Sequence, residues 1–567
     1  MNKFMFMSAI LENPAVAELL VTNAVIYTAD PSFRFADSMA IGNGRVLGIG
    51  NLSSLQEFEG STTKRLNLEG KVVVPGFIDS HVHLLPGGLQ YIFSHIKQMA
   101  QVNLHGVSTK QEFIEKIEVA AKSKKERDWV LGGGWNNILW GGELPTTTWI
   151  DDITPHNPVW LSRMDGHMGL ANLLALKLAG INRDTKDPAG GTIMRTADGE
   201  PTGLLTEAAM DLMIPVVPQP SVDERREALS RASTYALTKG VTTVVDVGRY
   251  FPGSSAESPW HDFTDIYSWA TNSGNMMIRV CLFFPLVTWS RLAELKKTTG
   301  NVVSQWLYLG GVKAFSDGSL GSNSALFYEP YVDNPETSGI QVMDLDSLTN
   351  MTLSADNSGL QVAIHAIGDK ANDLILDMYE SVAHKNGFRD RRFRIEHAQH
   401  LAPGSPARFG KQGVVASVQP EHLLDDADYA AKKLGKERAE TESYLFHTLK
   451  ASHTLLAFGS DWPVADIDPM NTIRAAVKRI PPGREEPWIP SERITFTDAL
   501  DAHTTSAARA CFLDENIGSL SPGKFADFVV LSTNSWESLE AEAFASIEAT
   551  YVGGVKAYSA NGGKDVM

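Results

Sequence analysis

Eight short apolar runs rich in β-branched residues recur along the chain, with helix-like polar and apolar stretches between most of them. Strands that alternate with helices form parallel βαβ units, and eight such units close naturally into a (β/α)8 barrel. The runs are KVVVPGFIDSHVH (71–83), VTTVVDVG (241–248), MMIRVCLFF (276–284), LGGVKAFSDGS (309–319), LQVAIHAIGD (360–369), FRIEHAQH (393–400), GVVASVQP (413–420) and LLAFGSDWP (455–463). The sequence therefore predicts an α/β barrel whose functional residues lie at the C-terminal ends of the strands.

Residue types that bind metals stand at or near the ends of these runs. His81 and His83 flank one valine at the end of the first run, so a strand there would point both imidazoles to the same side. The later runs contribute four further candidates: Lys313, His365, His397 and Asp461. All six side chains would then meet at one mouth of the barrel. Imidazole and carboxylate ligands suit Zn²⁺, Mn²⁺ or Fe²⁺, and zinc is the first expectation.

Some of these candidates could have structural roles, and structural roles are expected for two further acidic residues. A His-x-His pair can lie on the surface beside a turn, and Lys313 can simply pair with Asp317. Glu396 is expected to be a structural partner of a basic residue such as Arg394, because it points to the strand face opposite His397. Glu207, in GLLTEAAMDL, is predicted to lie on a solvated helix face.

Two further motifs, at residues 128–137 and 158–172, predict extra strands inserted between the first and second barrel strands. Loops inserted there would form a wall or lid over the barrel mouth. Trp135 can stack on an apolar substrate, or it can pack in a core beside a glycine turn. Asp165 and His167 can hydrogen-bond polar groups of a substrate, and the alternative for His167 is a structural histidine with its hydrogen bonds satisfied. The glycine-containing stretch FSDGSLGSNSALF, which begins within the fourth run, adds two expected substrate contacts: Gly318 and Ser319.

Eight motifs spread over most of the chain carry a resemblance to a known family. They are PGFIDSHVH, GGGW, MDGH, VKAFSDGSLGS, HAIGDKAN, RIEHAQH, GSDWPV and GSLSPGKFADFVVL. From about Leu19 to Lys556 the sequence resembles the YtcJ-like branch of the amidohydrolase superfamily, and within it plant sequences. One stretch, YIFSHIKQ at residues 91–98, departs from that pattern, and it either reshapes the pocket or lengthens the first helix.

The resemblance implies a metal centre with a defined division of ligands. His81, His83 and Asp461 would hold a first divalent metal, and His365 and His397 a second. Lys313 would bridge the two ions as a carbamate formed with carbon dioxide, because a free ammonium repels a cation. Asp461 would act as general base and then general acid, and His397 would polarise the substrate carbonyl if only one metal binds. The sequence does not distinguish a centre with one metal ion from a centre with two.

Both ends of the chain predict short antiparallel strands with turn signals between them. We expect a tail at residues 1–17, the two parts of a small β-sandwich domain at 18–74 and 513–560, and the barrel at 75–512. The barrel would carry the inserted segment near 128–200. The sandwich domain would then consist of two separate parts of the sequence, and the barrel would be interrupted by the inserted segment.

Composition narrows the expected partners and compartment. A formal net charge of −17 argues against binding to nucleic acid or to an anionic membrane. Two cysteines cannot form a disulfide framework, which favours a reducing, cytoplasmic compartment, with a perinuclear position left open. The apolar start KFMFMSAIL is short for a signal peptide, no stretch is long enough for a transmembrane helix, and a homodimer is left open.

The predicted activity is metal-dependent hydrolysis of a carbon–nitrogen bond other than a peptide bond in a small molecule. A bound metal lowers the pKa of its water to about 7 and so provides hydroxide at neutral pH. Two alternatives stay open at this point. The plant resemblance also fits a non-enzymatic protein of far-red light signalling on the same scaffold, and the same hydroxide would serve an ester or lactone hydrolase.

Overall fold

The computed structural model describes residues 16–95 and 102–561, with the backbone alone at 91–95. Seven short strands precede the barrel: β1 (Leu19–Thr22), β2 (Val25–Tyr27), β3 (Phe35–Ala36), β4 (Ser38–Gly42), β5 (Arg45–Gly50), β6 (Lys64–Asn67) and β7 (Val72–Pro75). The first barrel strand, β8 (Phe77–Val82), follows β7 after one residue. The N-terminal strands are therefore connected directly to the barrel.

A separate six-stranded sheet is inserted after the first barrel strand. It consists of β9 (Val102–Asn103), β10 (Val130–Trp135), β11 (Val159–Arg163), β12 (Met168–Ala171), β13 (Gly191–Arg195) and β14 (Pro201–Glu207), in the order β13-β14-β12-β11-β10-β9. The sheet packs over its own core, in which Phe113, Trp135 and Leu161 are buried. The two motifs that predicted inserted strands form β10, β11 and β12, and the sheet extends beyond the expected range on both sides.

Seven more parallel strands complete the barrel: β15 (Val241–Asp246), β16 (Arg279–Pro285), β17 (Leu307–Phe315), β18 (Gln361–Ala366), β19 (Arg394–His397), β20 (Val415–Val418) and β21 (Leu456–Phe458). Their order in the sheet is β21-β20-β19-β18-β17-β16-β15-β8, so neighbours in sequence are neighbours in space. Each of the eight predicted runs overlaps one of the eight barrel strands. The predicted (β/α)8 barrel is confirmed.

The first and last barrel strands meet at the C-terminal mouth. The backbone N–H of Asp461 donates to the carbonyl of His81 at 2.7 Å, and that of His83 donates to Trp462 at 2.9 Å. A parallel bridge between Val82 and Trp462 lies at the same level. The loop after β21 therefore closes the barrel beside the His-x-His pair.

Helices cover the outside of the barrel and connect its strands. Those after successive barrel strands are Leu84–His95, Val222–Thr238, Ser258–Asp262, Trp269–Ser273, Trp289–Thr299, Leu345–Asn357, Asp369–Asn386, Ser405–Gln412, His422–Asp426, Ala430–Leu434, Lys436–Thr441, Phe446–Ala451, Pro469–Lys478, Phe496–Ala502 and Thr505–Ala510. The inserted and terminal segments add Lys110–Lys122, Thr147–Ile150, Leu173–Leu178 and Trp536–Glu542. Among the described helices, none is both long and apolar enough to cross a bilayer.

The two ends of the chain combine into a β-sandwich, as predicted. The C-terminal strands are β22 (Phe528–Leu531), β23 (Ile547–Val552) and β24 (Val555–Ser559). One sheet has the order β5-β4-β1-β6 and the other β24-β23-β22-β7-β2-β3. Strands β7 and β22 pair antiparallel, with Val74 opposite Val529, and so join the two termini. The division of the chain at residues 75 and 512 stays a prediction.

Two predicted features lie wholly or partly outside the described residues. Residues 1–15 of the expected tail, including the apolar start, are among them. Of the segment 91–98, residues 91–95 continue the helix Leu84–His95, and the remainder lies outside the described residues.

Candidate metal centre and substrate cavity

The His-x-His pair lies at the C-terminal end of β8 with both imidazoles directed to Asp461. The Nε2 atoms of His81 and His83 are each 3.5 Å from Asp461 Oδ1. The ligand atoms of all three residues lie within 4.8 Å of one another, a spacing that suits a shared metal ion. The surface interpretation of the pair does not hold, because His81 is fully buried and His83 is partly buried in the wall of a cavity.

Hydrogen bonds on the far side of each ring fix its tautomer. His81 Nδ1 donates to Glu396 Oε2 at 2.6 Å, and His83 Nδ1 donates to the carbonyl of Gly248 at 2.6 Å. Since carboxylate and carbonyl oxygens only accept, the proton sits on Nδ1 and the Nε2 lone pair faces Asp461. Burial lowers the pKa of His81 to about 3 and that of His83 to about 4, so both imidazoles are neutral at pH 7.

His365 and His397 lie on adjacent strands, β18 and β19, with ring centroids 4.5 Å apart. His397 Nδ1 is 2.8 Å from Gln419 Oε1, which leaves Nε2 free to bind. His365 is turned the other way, because its Nε2 donates to the carbonyl of Gly318 at 3.0 Å and leaves Nδ1 as the acceptor. Burial holds the pKa of both imidazoles well below the usual value.

Lys313 is buried in β17 and lines the same cavity. Burial lowers the pKa of its amine to about 8, so part of the amine is neutral and nucleophilic near physiological pH. The alternative pairing with Asp317 is wrong. Asp317 instead accepts backbone N–H groups from three residues of two loops: Leu326, Ile367 and Gly368.

Asp461 supplies the carboxylate of the centre. Its Oδ1 atom is buried and has no hydrogen-bond partner among the described residues. Burial raises the pKa of Asp461 to about 7. A buried carboxylate oxygen without a donor is unfavourable unless a cation or a proton lies beside it. Together with three or four neutral imidazoles, this donor set fits a divalent metal ion.

Glu396 and Arg394 form a buried pair behind His81, as the structural interpretation predicted. Arg394 Nε donates to Glu396 Oε1 at 2.7 Å, and neither side chain is exposed. Although burial opposes its ionisation, Arg394 and His81 hold the pKa of Glu396 well below its usual range. The carboxylate therefore stays charged and keeps its hydrogen bond to His81.

Glu207 is the main functional candidate that the sequence did not reveal. The prediction of a solvated helix face is wrong, because Glu207 ends β14 and is fully buried. Its carboxylate lies 2.9 Å from His167 Nδ1 and also accepts from Ser324 Oγ at 2.6 Å. Burial lowers the pKa of His167, but the charge of Glu207 outweighs this effect and raises it to about 9. The His167 ring centroid is 5.0 Å from that of His365.

The other predicted substrate-binding residues divide into three groups. Asp165 lines the same cavity as His83 and also a smaller one of about 60 Å³. Ser319 lines the smaller cavity, and its Oγ donates to Asp165 Oδ2 at 2.6 Å. Gly318 lines neither cavity. Its carbonyl accepts a hydrogen bond from the His365 ring. The substrate contact predicted for Trp135 is wrong, because its side chain is fully buried in the inserted sheet and donates to the carbonyl of Leu161 at 3.0 Å.

A cavity of about 300 Å³ extends from the candidate metal ligands to the inserted sheet. The backbone of Gly132–Gly134 forms part of its wall, in the place expected for Trp135. The remaining wall mixes polar groups with apolar side chains, among them Trp160, Phe251 and Phe315. A volume of this size accepts a small molecule and excludes a folded protein substrate.

The barrel and its His/Asp cluster define the scaffold of a metal-dependent hydrolase. The solved structure of an uncharacterized metal-dependent hydrolase from Pyrococcus horikoshii OT3 superimposes with a TM-score of 0.70 at 27% identity, covering 91% of this chain and 97% of that one. A family model described as "Amidohydrolase family" matches residues 64–558. The chain therefore belongs to the amidohydrolase family, as its motifs predicted.

Three curated relatives are similar over almost their whole length. The protein LONG AFTER FAR-RED 3 of Arabidopsis thaliana is 66% identical, covering 96% of this chain and 92% of its own. YtcJ of Bacillus subtilis (strain 168), named as an amidohydrolase, is 32% identical, with coverage of 89% and 93%. The N-substituted formamide deformylase of Arthrobacter pascens is 26% identical, with coverage of 96% and 99%. These matches confirm the YtcJ-like resemblance and its plant branch.

Proposed function

We propose that the protein hydrolyses a carbon–nitrogen bond other than a peptide bond in a small molecule, with a divalent metal as cofactor. One observation carries the proposal: neutral imidazoles converge at the end of a cavity of about 300 Å³ with an Asp461 oxygen that has no hydrogen-bond partner in the described part of the chain. A relative named as a formamide deformylase supports an amide, formamide or cyclic amide as the substrate class.

Zinc is the proposed ion, because imidazole nitrogen and carboxylate oxygen are its common ligands. His81, His83 and Asp461 would hold one ion. His365 and His397 would hold a second, with Lys313 as a bridging carbamate, and the lowered pKa of that buried amine supports its reaction with carbon dioxide. A divalent ion at this centre would acidify water and polarise a carbonyl group.

The side chains of the cavity would move the protons and orient the substrate. Asp461 would accept the proton of the attacking water and return it to the leaving nitrogen, which a carboxylate beside both groups can do. His167, held by Glu207, would donate a hydrogen bond to a substrate oxygen. In a single-metal form, His397 would take over polarisation of the carbonyl. Trp160 and Phe251 would contact the apolar part of the substrate.

The first test is the metal content of gently purified protein, with bicarbonate present and without chelators, followed by a screen of small amides and formamides. We expect one or two equivalents of zinc and measurable amide hydrolysis. The variant Asp461→Asn should retain the fold and lose turnover. Protein that holds no metal and cannot be loaded with it would refute the proposed function. Esters with matched acyl groups distinguish an ester or lactone hydrolase, because their leaving group needs no strong acid.

The name of the Arabidopsis relative favours a second candidate, a role in the response to far-red light. Asp461→Asn separates this role from catalysis. If a plant that lacks the protein recovers its far-red response with the inactive variant, signalling does not need hydrolysis. If the wild-type chain restores the response and the inactive variant does not, signalling requires hydrolysis. A cytoplasmic location and a homodimer stay predictions.

A further inference from the structure

A further imidazole lies beside the proposed metal centre. His422 follows strand β20 as the first residue of the helix His422–Asp426. It lines a small second cavity of about 60 Å³ together with His365, His397 and Asp461. The position resembles that of the other candidate ligands, which lie near or just after the C-terminal ends of barrel strands.

The contacts of His422 leave one ring nitrogen directed to the centre. The backbone of Ser460 is the hydrogen-bond partner of the ring. His422 Nε2 is buried and has no hydrogen-bond partner among the described residues. A buried polar atom without a partner in a native fold requires an explanation, and an ion absent from the coordinates is one of the accepted ones.

The ligand atoms of His397, His422 and Asp461 lie within 4.8 Å of one another. The trio of His81, His83 and Asp461 meets the same limit. His397 Nδ1 is engaged by Gln419, so the atom that His397 offers is the acceptor Nε2. Acceptors that converge in this way attract a cation, because two lone pairs and a carboxylate oxygen repel one another when nothing lies between them.

We propose that His397, His422 and Asp461 form a second divalent-cation position that does not need carboxylated Lys313. Asp461 would share its carboxylate between this ion and the one at His81 and His83. The proposal extends the proposed function, since it concerns a metal position within that same centre. Two imidazoles and one carboxylate are a common ligand set for zinc or cobalt.

This position and the one expected from the resemblance cannot both be filled, since each requires the single free nitrogen of His397. The carbamate position depends on carbon dioxide, whereas the His422 position does not. The two positions therefore predict opposite responses to bicarbonate. Without bicarbonate the second ion should depend on His422, and with bicarbonate it can bind at His365 and His397 even when His422 is replaced.

The experiment titrates metal-free, full-length protein with Co²⁺ in buffer free of carbon dioxide and again with bicarbonate. Calorimetry and elemental analysis count the ions, and the visible absorption of Co²⁺ reports their ligand geometry. The proteins compared are the wild type, His422→Gln and the control His447→Gln, which changes an exposed histidine in the helix Phe446–Ala451. Circular dichroism of the metal-free proteins verifies that the fold is retained.

We expect two ions in the wild type and in His447→Gln without bicarbonate. In His422→Gln the second ion should bind at least about tenfold more weakly, with recovery when bicarbonate is added. Equal binding of the second ion in all three proteins without bicarbonate would overturn the proposal, and so would a wild type that takes up only one ion. Two ions without any amide hydrolysis would instead refute the proposed function and leave this metal position standing.

Discussion

Replacement of Glu396 by glutamine tests how the charge behind His81 supports both the fold and the metal centre. The change keeps the shape of the side chain and removes its charge, so Arg394 becomes a buried cation without a counter-ion. Breaking a buried ion pair in this way costs about 3–5 kcal/mol. Arg394 keeps hydrogen bonds to the Ser80 carbonyl and Ser417 Oγ, which favours the lower end, about 3 kcal/mol.

The expected change in melting temperature depends on the size of the molecule. The entropy of unfolding is about 2.1 cal/mol/K per residue, or about 1.2 kcal/mol/K for a cooperative transition of all 567 residues. A loss of about 3 kcal/mol then lowers the melting temperature of the metal-free protein by about 2.5 °C. His81 also loses its anionic partner, so we expect the metal affinity to fall about tenfold or more.

Scanning calorimetry of the metal-free protein measures the first effect, and competition with a chromophoric chelator measures the second. Glu126→Gln is the matched control, because Glu126 is exposed and its charge should matter little. A Glu396→Gln variant that melts within about 1 °C of the wild type, with unchanged metal affinity, would refute the reasoning.

Four further changes have defined outcomes. Asp461→Asn should abolish hydrolysis while circular dichroism stays that of the wild type, and unchanged turnover would exclude its role as base. Lys313→Ala should lose hydrolysis and regain part of it with added short carboxylic acids, whereas full activity without them would exclude the carbamate. Glu207→Gln should lower kcat/KM about tenfold or more through the loss of the anion that holds His167, which steady-state kinetics can measure. For His503, burial lowers the pKa to about 4, below the unfolded value near 6.5. The unfolded chain therefore binds the extra proton, the folded state loses stability as pH falls from about 6.5 toward 4, and His503→Gln should remove about 2 kcal/mol of the loss between pH 7 and pH 5 in unfolding experiments.

The residues that the sequence located correctly share one property. His81, His365 and His397 are at the ends of strands whose apolar pattern is unambiguous, and the barrel topology brings all such ends together. The same reasoning also covers His422, which follows the seventh run by two residues. It was missed because a single histidine after a strand carries no motif of its own.

The residues that were misplaced depend on packing that periodicity does not encode. Trp135 has the pattern of a strand end, but whether its ring faces the cavity or the sheet core depends on the path of its own glycine-rich strand, β10. Glu207 is the last residue of β14 and has a backbone φ of +49° and ψ of −129°, a conformation that non-glycine residues rarely adopt. A sequence pattern that suggested a helix could not indicate this turn, which carries the carboxylate into the interior.

A positive φ also occurs at two of the proposed ligands, and at one of them it links metal binding to closure of the barrel. His397 has a φ of +77° and Asp461 a φ of +59°, each at a cost of about 1–3 kcal/mol. At Asp461 the compensation is visible, because its backbone N–H bonds the His81 carbonyl and thereby joins the last strand to the first. An ion bound by His81, His83 and Asp461 would connect the same two ends of the barrel through side chains. Since a ligand that binds only the folded state stabilises it, removal of the ion should weaken the barrel first where β8 and β21 meet.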